Sequence, residues 1–140
     1  MTYATLDDLN ERAGATEINQ VADRDNSGEA DGSVITAALE DADNIINGYV
    51  TQKYPPPFAS TPSLLRTWAV SIARYVLHRD GAPDYVETDY KDAIASLKDV
   101  ARGLMSIPDA TGVTPTQTNG TTQSYHPEEV FSEENLRGWK

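Results

Sequence analysis

Apolar residues recur along residues 61–80, TPSLLRTWAVSIARYVLHRD, at the spacing of one wide helix face. Leu64, Leu65, Trp68, Ala69, Ile72, Ala73, Val76 and Leu77 fall at i, i+3, i+4 and i+7, while Arg66, Arg74 and Arg79 take the remaining arc. Thr61 is placed to cap this helix and Pro62 to occupy its first position, where a residue without an N–H loses nothing. Gly81, Ala82 and Pro83 end it. A face this broad needs neighbours on more than one side, so the pattern makes 62–80 the central helix of a small bundle.

Two other long amphipathic stretches can supply those neighbours. In 34–54, Ile35, Ala38, Leu39, Ala42, Ile45, Ile46, Tyr49 and Val50 form the inner face, and Glu40, Asp41, Asp43 and Asn44 the wet one. Gly48 costs about 1 kcal/mol in mid-helix relative to alanine, which reads as a close approach to a neighbour or a bend. In 84–105, Val86, Tyr90, Ala93, Ile94, Leu97, Val100, Ala101 and Leu104 point inward under a solvated mixture of charges. Upstream, Thr5 caps a short helix over 6–13 with Asp8 reaching back as a capping box, Gly14 stops it, and TEINQVAD starts again with Ile18 and Val21 inward. The proline-stiffened YPPPFASTP interrupts the helical run and carries Tyr54 and Phe58 over the bundle end.

No stretch reads as a strand. The expected fold is all-α: a small helical bundle of three long helices with short N-terminal helices and an extended C-terminal arm. Residues 1–105 form the bundle domain, and the Thr-, Gly- and Pro-rich 106–124 reads as a linker. Residues 125–140 read as a docking arm whose anchors, Tyr125, Val130, Phe131, Leu136 and Trp139, seek another protein chain.

Charge sharpens this picture. The 140-residue chain has a net charge of −11, and residues 1–50 carry eleven acids against Arg12 and Arg24 alone. Such an acidic half argues against binding a nucleic-acid duplex, because that affinity comes from cations that displace counterions. With no cysteine, disulfides and thiolate metal sites are excluded. No apolar run approaches the roughly 20 residues of a membrane span, and MTYATLDDLNER lacks the basic and apolar regions of a signal peptide, so the expectation is a soluble protein with no membrane partner.

One stretch has the look of a site. In DRDNSGEADGSV, Asp23, Asp25, Ser27 and Asp31 fall at positions 1, 3, 5 and 9 of a calcium-loop pattern, with Gly28 at the sharp turn. Position 12, which needs a bidentate Glu, is Val34, so the favoured reading is an acidic turn in which Asp31 or Ser33 caps the next helix, with no metal expected. Catalysis finds no support: His78 and His126 lie far apart in the chain, no nucleophile motif is present, and His78 reads as a helix C-terminal residue suited to the dipole. The expectation is a non-enzyme without cofactors.

Several segments together resemble a known family. YATLDDLNERAG, the acidic DRDNSGEADGSVITAALEDADNIINGYVTQKYPPPF, PSLLRTWAVSIARYVLH and FSEENLRGW are similar to the small head-morphogenesis protein of Mu-like bacteriophages and prophages, itself similar to the head-to-tail connector (adaptor) proteins of long-tailed phages. The resemblance implies a helical subunit of a homo-oligomeric ring, commonly of twelve, lying between the portal protein and the tail-completion or stopper protein. DNA would pass through its channel without specific binding. The resemblance places the protein in the virion neck, made and assembled in the bacterial host cytoplasm, and it carries no catalytic residue. An acidic lumen suits a channel through which DNA must slide. The alternatives are a calcium-responsive binding module built on the 23–34 loop and an acidic DNA mimic.

Overall fold

The Thr5 hydroxyl accepts the Asp8 N–H, and the Asp8 carboxylate in turn accepts the Thr5 N–H at 2.8 Å, which starts the first of five helices with the anticipated capping box. The computed structural model of the chain describes residues 2–108. The helices are α1 Leu6–Ala13, α2 Ala15–Ala22, α3 Gly32–Val50, α4 Ser63–Leu77 and α5 Asp84–Ala101. The described chain is all-α, with no strand among its residues. Helices α3, α4 and α5 pack on one another, while α1 lies against α4 and α2 against both α4 and α3.

The wide apolar face of α4 is the centre of the core. Leu65, Ala69, Ile72 and Ala73 have no exposed surface, and Trp68 is buried beside them. From α3 they meet Ile35, Ala38, Leu39, Ala42, Ile46 and Val50, and from α5 Ala93, Leu97 and Val100. Each of the leucine, isoleucine and valine side chains gains roughly 1.5–3 kcal/mol by leaving water, and the alanines let the helices approach, so the three long helices hold one another in place.

Helix ends differ from the sequence reading, for local reasons. Asp31 accepts the Ser33 N–H at 2.9 Å, so α3 begins at Gly32 rather than 34, and a turn of Lys53 and Tyr54 back onto the Val50 carbonyl closes it before 54. At α4, Pro62 is not the first helical residue. Its extended ψ of 138° makes it the cap, with no side-chain cap bond from Thr61. That helix ends at Leu77 instead of 80, because the His78 N–H turns back onto the Tyr75 carbonyl. Helix α5 ends at Ala101, four residues early: Gly103 adopts φ +77° and the Leu104 N–H reaches the Asp99 carbonyl at 2.8 Å. Leu104, expected inward, is therefore 75% exposed.

Two residues of α3 also correct the expectation. Gly48 sits on the surface, where an added Cβ would meet nothing within 4 Å, so it serves no close approach. Asp43, placed on the wet face, is buried, because the segment before α1 folds over it. Its Oδ1 accepts the Tyr3 N–H at 2.9 Å, while the Tyr3 hydroxyl donates to Asn47 Oδ1 at 2.6 Å. Tyr3 also packs against Phe58 of the proline-rich connector.

The other end of the chain is fastened as well. Ile107, read from sequence as linker, is fully buried, and its N–H donates to the Tyr54 hydroxyl at 3.3 Å. Most of the proposed linker, and all the arm residues Tyr125, Val130, Phe131, Leu136 and Trp139, lie outside the described residues.

Candidate functional site

Three places on the bundle carry polar side chains in a defined arrangement. The acidic loop joins α2 to α3 and is closed by the Asp31 N–H donating to the Ala22 carbonyl. Within it, Asp23 accepts the Ser27 N–H at 2.9 Å through one oxygen and the Gly28 N–H at 2.8 Å through the other. Asp25 accepts the same Ser27 N–H at 3.2 Å. The turn needs left-handed backbone at two positions, supplied by Asn26 at φ 60° and Gly28 at φ 92°. These hydrogen bonds hold the Asp23 carboxyl below its usual range, with the Gly28 N–H as the leading cause.

Asp31 does not join Asp23 and Asp25. Its carboxylate takes the Ser33 hydroxyl and N–H, which lower its pKa, and so works as the N-cap of α3. Among the described residues no group of three or more His, Cys, Asp or Glu side chains could hold a metal ion. Of the sequence candidates, Asp23, Asp25 and Ser27 form a hydrogen-bonded turn and Asp31 a helix cap.

The second place was not anticipated from the sequence. Glu17 of α2 binds Arg74 of α4 through two hydrogen bonds of 2.7 Å each, to Nε and Nη2, and the Nε2 of His78 lies 3.1 Å from the same carboxylate. The Arg74 guanidinium also stands 5.2 Å from the Tyr85 ring centre, within cation–π reach. Hydrogen bonding from Arg74 holds the Glu17 carboxyl low against the opposing effect of burial, and Glu17 raises Arg74 in return. Beside this cluster Arg24 donates to the Leu77 carbonyl at 3.2 Å, satisfying an orphan acceptor at the end of α4. The cluster fastens α2 to α4 and offers no nucleophile. The only sequence signal for it was an arginine set between Ala73 and Val76 on a helix apolar over most of its circumference.

The third place is a pair of adjoining clefts along α4. In a cleft of about 230 Å³, Arg66, Thr67 and Val70 face Asp8, Glu11 and Arg12 of α1. In its neighbour, of about 180 Å³, Thr67, Trp68 and Ser71 face Asp89, Asp92, Ala93 and Ser96 of α5. Arg12 and Thr67 line both, and Arg12 reaches Asp89 at 3.7 Å across the mouth. Val70 and Trp68 add apolar surface, Asp8 and Glu11 accompany Arg12 and Arg66 on the α1 side, and Asp89 and Asp92 lie on the α5 side. No helix among the described residues is long and apolar enough to cross a membrane.

Comparison with known proteins bears directly on these features. The family described as Bacteriophage Mu, Gp36 matches residues 3–124, which takes in all five helices. The Mu-like prophage FluMu protein gp36 of Haemophilus influenzae is 32% identical over 105 residues, covering 75% of this chain and 74% of that protein. Gene product J of Escherichia phage Mu is 29% identical over 104 residues, covering 74% of each.

Proposed function

The chain belongs to the bacteriophage Mu Gp36 family, and from that premise we propose that this Mu-like phage protein is a structural head-to-tail connector subunit. In this reading several copies, twelve by the resemblance to long-tailed phage connectors, form a ring in the virion neck. The portal protein lies above it, the tail-completion or stopper protein below, and DNA passes through the centre. The observation that carries the proposal is the family match along residues 3–124, which takes in three of the four segments on which the resemblance was drawn and leaves FSEENLRGW outside it.

The described structure supports it in three respects. The body is a tightly packed helical unit in which Ile107 is the last buried residue among those described. The acids of α1, the 23–31 loop and α3 are largely exposed, which suits a surface that DNA must pass without adhering. The acidic loop and the Glu17–Arg74 pair are accounted for by a turn, a cap and the tie between α2 and α4, and the reading assigns the protein no catalysis and no cofactor.

Negative-stain electron microscopy of the purified protein, and of heads containing the portal, tests the proposal. A ring with a central channel at the portal vertex is the expected image. Its absence from heads that nevertheless complete their necks would overturn the connector reading.

A further inference from the structure

Lys98 and Arg102 stand one turn apart on the exposed side of α5, and Lys53 reaches across from the end of α3, its Nζ 3.8 Å from where a Cβ on Gly103 would lie. Among the described residues no carboxylate lies within ion-pair distance of any of the three. Residues 44–66 contain no acid, and the half-buried Asp99 is the single acid of residues 93–108, with Asp109 next in sequence. Arg66, by contrast, has Asp8 and Glu11 around it. Cations suit the carbonyl ends of two helices. That does not account for Leu104, 75% exposed, and Met105, 37% exposed, which the turn onto the Asp99 carbonyl sets beside Arg102 in open solvent. This pole of the bundle presents a small apolar surface edged by three unpaired cations.

What fits such a surface is a segment that is apolar and acidic at once, and the chain supplies one. Residues 128–136, EEVFSEENL, hold Glu128, Glu129, Glu133 and Glu134, no base, and the apolar Val130, Phe131 and Leu136. They also start from the right place. Ile107 is seated on Tyr54 just past the end of α3, so the chain leaves the body at this same pole. Residues 109–127 extend to about 60 Å at most, enough to turn back onto the last turn of α5, and a tether of that order holds the arm near its own body at about millimolar effective concentration. We infer that residues 128–136 dock on this pole of their own chain, with Phe131 and Leu136 over Leu104 and Met105 and the four glutamates among Lys53, Lys98 and Arg102. The sequence reading sent the arm to another protein; the pole gives it a seat on the free subunit, one that needs no ring.

The chain has no cysteine, so a nitroxide on full-length Ser132→Cys marks the arm alone. In dilute, isotope-labelled protein the amide signals of Lys53 and of residues 102–106 are expected to lose most of their intensity, while those of the 23–31 loop keep theirs. Unlabelled nitroxide-bearing chain added to isotope-labelled natural chain should leave the labelled signals unchanged, because the contact is made within one chain. Lys98→Gln combined with Arg102→Gln, both at exposed positions, or salt at about 0.5 M, should restore most of the lost intensity. Signals lost evenly over the body, lost along the cleft between α1 and α4 instead, or lost equally in the glutamine variant would overturn the inference. Loss in the mixture of chains but not within one chain would give the pole to a second copy and overturn it as well. Images of portal-bearing heads test the connector reading separately, so either can fail without the other.

Discussion

Glu17 and Arg74, 57 residues apart in sequence, meet through two parallel hydrogen bonds of 2.7 Å, with side chains only 22% and 10% exposed. Bidentate geometry and shared burial make this the strongest polar tie between the N-terminal helices and α4. Glu17→Gln keeps the shape but removes the charge, and leaves Arg74 buried without its counter-ion. The expected loss is about 3 kcal/mol, read as a lower midpoint in urea denaturation.

That tie also has a pH signature. The folded chain holds the Glu17 carboxyl below its ordinary range, so on acidification the unfolded chain takes up the proton first. The stabilisation is complete above the ordinary glutamate range and is lost as pH falls through the lowered value. Denaturation midpoints of the native chain and Glu17→Gln should accordingly converge between neutral pH and strong acid. A constant gap would show that the carboxylate charge contributes nothing.

The buried Asp43 gives a contrasting case. Burial raises its pKa, and the Tyr3 N–H opposes that shift, so its value to the fold lies in accepting a hydrogen bond rather than in carrying charge. Asp43→Ala should cost about 1–3 kcal/mol by stranding the Tyr3 N–H, while Asp43→Asn, which keeps an acceptor, should cost much less. Thermal melts of the two variants make the comparison.

In the core, Leu65→Ala and Ile72→Ala should each cost about 2–5 kcal/mol, because both side chains are fully enclosed between α3, α4 and α5. A loss below half a kilocalorie in chemical denaturation would contradict that packing. For the acidic loop, isothermal titration with micromolar calcium should give no saturable heat. Asp23 already spends both oxygens on backbone N–H groups, and Asp31 is committed to Ser33.

The elements that were legible in the sequence are those whose signal is local and periodic. The wide face of α4, the inner faces of α3 and α5, the Thr5 and Asp8 capping box and the Asp31 cap all follow from spacing or from a residue and its third neighbour. Helix ends were misplaced by one to four residues where a turn competed on nearly equal terms, as at Gly103. What periodicity could not show were pairs made by tertiary packing. Asp43 looks solvated until Tyr3 covers it, and Arg74 looks like a surface charge until Glu17 arrives from a different helix. The calcium-like spacing of the loop was visible, but the partners that occupy its oxygens are backbone groups, and a sequence pattern says nothing of where those point.

The seating of Ile107 on Tyr54 has a mechanical meaning. A pull on the chain beyond Pro108 is first resisted where Ile107 is clamped, at the side chain that closes α3, before it can reach the last turn of α5. Helix α5, whose end is only a single glycine-capped turn, is thereby shielded from being unzipped from its terminus. The load passes instead into α3, which is stitched at its far side to the N-terminal segment by Tyr3, Asp43 and Asn47. Tension on one arm would be shared by the whole bundle, as it is in a cable gripped behind its connector.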